Sequence, residues 1–202
     1  MSYTLIFVIV TVLASLGAFT NKELYNKFIM YPYAMKDNPK EYYRLLTSGL
    51  IHADYIHLFF NMFALYSFGK QVEMTFEAIG RPFVYPALYI LAIIASSLPD
   101  LVKYKNQSYY RSLGASGGVS AVLFSSVYFF PWSGVMIFPI PFSIPAIVFA
   151  GLYLVYCVYM SKKGGDNINH SAHFWGALFG FVFTFLYDPS HGRIFIEQIM
   201  NR

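Results

Sequence analysis

Charge is what this sequence has least of. Of 202 residues, 12% are Asp, Glu, Lys or Arg, about half the roughly 25% of a soluble domain. That excludes an ordinary solvated globule. The net charge of +4 is spread over scattered Lys and Arg, so no nucleic-acid surface is present. The one cysteine, Cys157, excludes an internal disulfide. Lying in an apolar run, it reads as a small buried apolar residue. No H-E-x-x-H occurs, and His170 with His173 lacks a carboxylate third ligand. Zinc-protease chemistry is therefore excluded, and neither metal nor cofactor is expected. No Lys or Arg precedes the first apolar run, and a clear small-residue cleavage site is missing from it. Residues 3–20 are expected to stay as a first span rather than leave as a signal peptide.

What is abundant is apolar and aromatic surface. The apolar share is 57%, the aromatic share 20% and the mean hydropathy +0.49. A spanning helix needs about 20 mostly apolar residues. Six candidates occur, at 3–20, 54–69, 82–99, 114–130, 136–160 and 171–187, within one membrane domain over residues 1–202. Spans two, four and six are short and carry polar groups, while one, three and five are more uniformly apolar. Polar groups at membrane depth face a bundle interior. Spans two, four and six are therefore expected to converge, with one, three and five facing lipid; Ile93 is taken as such a lipid-facing position. Span five carries Pro139, Pro141 and Pro145 in its first half. Residues 21–51 form the longest connection and mix charges with six tyrosines and phenylalanines. So many aromatics argue for an interfacial, partly helical segment.

The polar groups in these spans are few and specific. His57 and Asn61 are four apart, on one face of span two, and His52 lies about one and a half turns earlier, near the interface. Span four opens on RSLGASGGVSAVLF, with Ser116 among Gly114, Ala115, Gly117 and Gly118. Span six carries His173 beside Ala172, Gly176 and Gly180 at four-residue steps. Small faces let helix backbones approach closely. Packing spans four and six through them would bring Ser116 near His173, and a histidine in reach of a serine can act as its general base. Asp100 and Asp188 sit at span ends, and Glu73 and Glu77 follow span two. No carboxylate is left at that depth, so the pattern predicts a Ser–His dyad rather than a triad. The Ser116 N–H, His57 and Asn61 are the candidate oxyanion donors. His170 and His191 read as loop or tail histidines.

Three motifs in order carry a family resemblance. H-x-x-x-x-H-x-x-x-N (His52, His57, Asn61), G-x-S-G (Gly114, Ser116, Gly117) and A-H-x-x-G (Ala172, His173, Gly176) resemble those of the rhomboid family of intramembrane serine proteases. The resemblance covers residues 3 to about 187. It implies an all-α six-transmembrane-helix bundle with residues 21–51 as a half-inserted first loop. It also implies Ser116 as nucleophile, His173 as base, His57 and Asn61 at the oxyanion, and transmembrane protein substrates in a lipid bilayer. His52, Gly114, Gly117, Gly176 and Gly180 would support them. Tyr43-Arg44 stands where the family often has an aromatic–arginine pair, and Glu73 matches a family glutamate; Arg44 and Glu73 are candidates for pairing. Many bacterial members carry a tyrosine four residues after the nucleophile, stacked on the histidine; here that position is Ser120. The chain reads as the minimal six-span form of a bacterial inner membrane. A catalytically inactive client-binding relative and a small His-lined transporter are the alternatives. The G-x-S-x-G of soluble α/β-hydrolases is rejected, because residues 101–113 are loop rather than strand.

Orientation sets two rules against each other. Ten Lys and Arg lie in connections one, three and five, against four on the other side. The positive-inside rule would place those ten in the cytoplasm. The resemblance implies cytoplasmic termini and a site opening outward, and the reading follows it. The sequence names neither a particular substrate nor an oligomeric state.

Overall fold

A computed structural model describes residues 2–136 and 142–201. The chain starts with α1 (Tyr3–Thr20), whose first turn is capped by Ser2. The long connection is folded into short helical pieces: α2 (Lys22–Phe28), α3 (Pro32–Met35), a 3-10 turn (Pro39–Tyr43), α4 (Arg44–Thr47) and a second 3-10 turn (Ser48–Leu50). Arg44 holds them together. Its guanidinium donates to the carbonyls of Asn26 (2.7 Å) and Ile29 (2.8 Å) and pairs with Glu41. Asp54 then caps α5 (Tyr55–Ala78) by accepting from the His57 N–H at 2.7 Å. Next come α6 (Val84–Tyr104) and α7 (Ser116–Phe129), then a hairpin of β1 (Gly134–Met136) and β2 (Ser143–Pro145). The chain closes with α8 (Ala146–Lys163), α9 (His170–Tyr187) and α10 (Ser190–Met200).

The centre of the protein is α7. Every residue from Gly117 to Phe129 is buried, because α5, α6 and α9 all pack on it. Among the described residues three helices, α1, α6 and α8, are long and apolar enough to cross a membrane, and they match the three more uniformly apolar sequence spans. They do not share one environment. In α1 and α8 only 22% and 17% of the apolar stretch is buried, but in α6 it is 44%. The inner layer is therefore α5, α6, α7 and α9, and α6 is not the lipid-facing helix its composition suggests. Ile93 is 4% exposed and lies against Gly49 and Gly118, so it is a core residue.

Other boundaries shift for local reasons. Span two runs on to Ala78, and its last turns carry Glu73 to the start of α1. There the Glu73 carboxylate accepts from the Ser2 and Thr4 hydroxyls (2.6 and 2.7 Å) and from the N–H groups of Tyr3 and Thr4. These are orphan donors at a helix N-terminus, where a carboxylate is favoured. The expected Arg44–Glu73 pair does not form, since each is fully engaged elsewhere. Span five begins as the β1–β2 hairpin and becomes helical only after Pro145, a residue preset for a helix start. Pro139 and Pro141 lie outside the described residues. α10 lies beyond the sequence spans, and Trp132 pins it by donating to the Gln198 carbonyl at 2.7 Å.

Candidate active site

Ser116 is the first residue of α7, where backbone N–H groups have no partner within the helix. The turn before it requires glycine. Gly114 has φ +114°, and a Cβ there would stand 2.8 Å from the His57 ring. The His57 imidazole therefore lies directly over the backbone beside Ser116. Its Nδ1 accepts a long bond from the Ala53 N–H at 3.5 Å. That leaves Nε2 as the N–H donor, on the side of Gly114.

His52 fixes the same turn from below. The Ala115 N–H donates to its Nε2 at 3.3 Å, so Nδ1 carries the proton and donates to Ser15 Oγ at 3.0 Å. The Ser15 hydroxyl in turn donates to the Leu50 carbonyl at 3.0 Å. His52 is fully buried, not interfacial. Burial, with His57 edge-on at 4.9 Å, pushes its pKa down from 6.5 to about 3, so it holds the turn as a neutral ring. Asn61 is buried, and its side-chain amide donates to the His57 carbonyl one turn back at 3.0 Å, leaving one amide hydrogen for another acceptor.

α9 meets α7 through a ladder of small residues. A Cβ on Gly176 would fall 2.1 Å from the Gly117 carbonyl oxygen, and one on Gly180 would fall 2.1 Å from that of Ala121. One step further, the Thr184 and Ser125 hydroxyls are hydrogen-bonded at 2.8 Å. The two helices thus run side by side over 117/176, 121/180 and 125/184, with no room for a side chain at the first two steps. The upper end of this ladder holds Ser116, next to Gly117, and His173, next to Ala172. The Ala172 carbonyl lies 3.4 Å from the Cβ position of Gly117. The start of α9 is anchored as well. Asn169 caps it by accepting from the Ala172 N–H at 3.0 Å and donates to the buried Asp100 at 2.6 Å. Asp100 also accepts from Tyr110 at 2.6 Å; burial, with the Asp100 carboxylate beside it, pushes the Tyr110 hydroxyl pKa up.

Sequence reasoning missed the residue over His173. The ring of Tyr153, on α8, lies nearly parallel to the His173 ring, with 6.2 Å between centroids and 11° between planes. Its hydroxyl is hydrogen-bonded to Ser120 Oγ at 2.7 Å. The aromatic partner therefore comes from a neighbouring helix, and Ser120 holds its hydroxyl. The only signal in the sequence was the missing tyrosine at 120. His170 is also misjudged by sequence: it is 3% exposed, held by Asp166 at 3.0 Å and by the Tyr156 ring at 5.3 Å. His191 packs on Tyr128 and Phe129.

Apolar helices around a buried central helix, with a glycine-bedded serine at its start, define a multi-pass integral membrane protein with a polar interior site. A family model described as the Rhomboid domain matches residues 39–190, and the chain belongs to that family. It is 28% identical over 187 residues to RHOMBOID-like protein 12, mitochondrial, of Arabidopsis thaliana, covering 82% of this chain and 54% of that protein. It is 25% identical over 162 residues to Rhomboid protease GlpG of Haemophilus influenzae, covering 79% and 77%. It is 32% identical over 142 residues to Rhomboid protease GluP of Bacillus subtilis, covering 70% and 25%. The chain thus spans about half of the Arabidopsis relative and a quarter of GluP.

Proposed function

We propose that this protein is an intramembrane serine endopeptidase that cleaves transmembrane segments of other membrane proteins, in a bacterial inner membrane. The helices α1, α5, α6, α7, α8 and α9 would form the bundle, with residues 21–51 as its half-inserted loop and the site opening outward. The observation that supports the reading is the glycine ladder between α7 and α9, whose first step joins Gly117, next to Ser116, to Gly176, one turn after His173.

In this reading His173 takes the Ser116 hydroxyl proton as Oγ attacks the scissile carbonyl. The oxyanion that develops is met by the Ser116 N–H, the His57 Nε2–H and the remaining Asn61 amide hydrogen. His173 returns the proton to the departing amine, leaving an acyl-enzyme on Ser116. Water, deprotonated by the same ring, hydrolyses it. Tyr153 keeps the His173 ring in plane, and His52 keeps the Ala115–Ser116 turn in place. A helical peptide bond is shielded by its own turn, so a substrate must unwind locally. Small or helix-breaking residues near the membrane surface would permit this.

The test is cleavage of a panel of model transmembrane substrates by purified protein in detergent. Wild type cleaves at least one of them. Ser116→Ala and His173→Ala stay folded and cleave none. Appreciable cleavage by Ser116→Ala contradicts the serine mechanism.

A further inference from the structure

Two further potential ligands, Cys157 and His170, stand beside His173, and hydrolysis has no use for either. Cys157 of α8 is fully buried and His170 nearly so. One ligand atom from each, together with a ring nitrogen of His173, all lie within 4.8 Å of one another. The two nitrogens of His170 are not equivalent. Nε2 lies 3.0 and 3.2 Å from the Asp166 carboxylate oxygens. An ionised carboxylate only accepts, so Nε2 carries the proton and Nδ1 keeps the lone pair. That Nδ1 is buried and has no hydrogen-bond partner. A carboxylate that fixes one nitrogen of a histidine while the other is left bare is the arrangement that supports metal-binding histidines.

We infer that Cys157, His170 and His173 form a site for a zinc-class divalent ion, and that filling it switches the protease off. Binding displaces the Cys157 thiol proton to solvent, and the resulting thiolate with two imidazoles suits zinc, a water completing a tetrahedron. Zn–S of about 2.3 Å and Zn–N of about 2.0 Å put tetrahedral ligand atoms roughly 3.3–3.6 Å apart, so binding draws the three inward by up to about an ångström. A zinc protease was excluded by sequence because a carboxylate third ligand was missing. The third ligand here is a thiolate from a different helix, and the ion blocks the chemistry instead of performing it. A neutral imidazole has one lone pair. Whichever His173 nitrogen the metal takes, the other becomes an N–H and cannot accept the Ser116 proton. The inhibition rests on His173 being the base; the binding does not.

Cobalt(II) titration of the purified protein in detergent reads the site without any need for proteolysis. Wild type and Ser116→Ala should both show tetrahedral cobalt absorption with a near-ultraviolet thiolate-to-metal band. Cys157→Ser, Cys157→Ala and His170→Ala, each checked for an intact thermal transition, should lose that band. Displacement of cobalt by zinc should show affinity about 10-fold to 100-fold weaker in Asp166→Asn, the range for losing an outer carboxylate partner. Zinc should also block labelling of Ser116 by a fluorophosphonate in wild type, reversibly with chelator. It should not do so in Cys157→Ser, each variant being compared with its own zinc-free labelling. No thiolate band in folded wild type, or unchanged zinc affinity in both Cys157→Ser and His170→Ala, overturns the site. Metal binding that leaves labelling intact overturns the switch. If wild type is never labelled, the protease reading fails while the cobalt spectra still decide the site.

Discussion

Gly176 is where a single methyl group should do the most damage. A Cβ there would stand 2.1 Å from the Gly117 carbonyl oxygen and 2.8 and 2.9 Å from that residue's carbonyl carbon and Cα. An unstrained contact needs about 3.5 Å, so α7 and α9 must separate by more than about 1 Å. The obstacle is backbone, which cannot rotate aside as a side chain can. Overpacking of this kind costs about 1–3 kcal/mol, and more where nothing yields. In the proposed mechanism the consequence for catalysis is larger. A displacement of about 1 Å between reacting groups can cost on the order of 100-fold in rate, and Ser116 and His173 sit on opposite sides of the contact. Gly176→Ala should therefore lose about two orders of magnitude in kcat, and Gly176→Val should approach the dyad variants. The control is Gly151→Ala on α8, where an added Cβ meets nothing within 4 Å. There the helix should gain roughly 0.5–1 kcal/mol with activity unchanged. Turnover and thermal transition in detergent, measured for all three, make the comparison. Full activity in Gly176→Val would mean that the ladder does not set the Ser116–His173 geometry.

Other expectations concern single side chains. Asn61→Ala should slow single-turnover chemistry by about 10-fold to 1000-fold, the range for losing one oxyanion donor; an unchanged rate would reduce Asn61 to a brace on the His57 carbonyl. Tyr153→Phe keeps the ring over His173 and loses the hydroxyl's bonds to Ser120 and Cys157, so it should stay within a few-fold of wild type. Tyr153→Ala should lower kcat far more than it raises KM, and equal rates for the two would remove Tyr153 from the mechanism. The pH dependence of stability should carry a mark from His52. Its folded pKa lies below its unfolded value, so the unfolded chain binds the extra proton between pH 6.5 and about 3. Stability is complete above 6.5 and falls across that window as pH drops. His52→Gln should flatten the fall in thermal midpoint, and an identical slope would show that His52 titrates normally in the folded protein.

The helix packing at the candidate site was legible because it is written in local spacing. The four-residue steps Ala172–Gly176–Gly180 and Gly117–Ala121 mark faces that let helices touch, and they lie along the ladder. The contrast between uniformly apolar and polar-bearing spans also carried over, since α1, α6 and α8 are the helices apolar enough to cross a membrane. What could not be read was the meeting of residues far apart in the chain. Tyr153 over His173, Glu73 over the start of α1 and Asp100 under Asn169 each join different helices, and no periodicity encodes such a pair. Composition also misled. α6 looks like a lipid-facing helix, but Tyr85, Tyr89 and Ser96 on one of its faces are buried, because one helix can serve lipid and core at once. His52 and His170 look like boundary residues by position, and both are buried because the chain folds back over them.

The central claim is that Ser116 is a nucleophile activated by His173, and a covalent trap tests it most directly. Purified protein in detergent is treated with a fluorophosphonate, digested, and the adduct located by mass spectrometry. The account predicts one adduct, on Ser116, absent from Ser116→Ala and at least about 100-fold slower to form in His173→Ala, in keeping with the contribution of a positioned general base. An adduct on another residue, or labelling of Ser116 at an undiminished rate without His173, would contradict it.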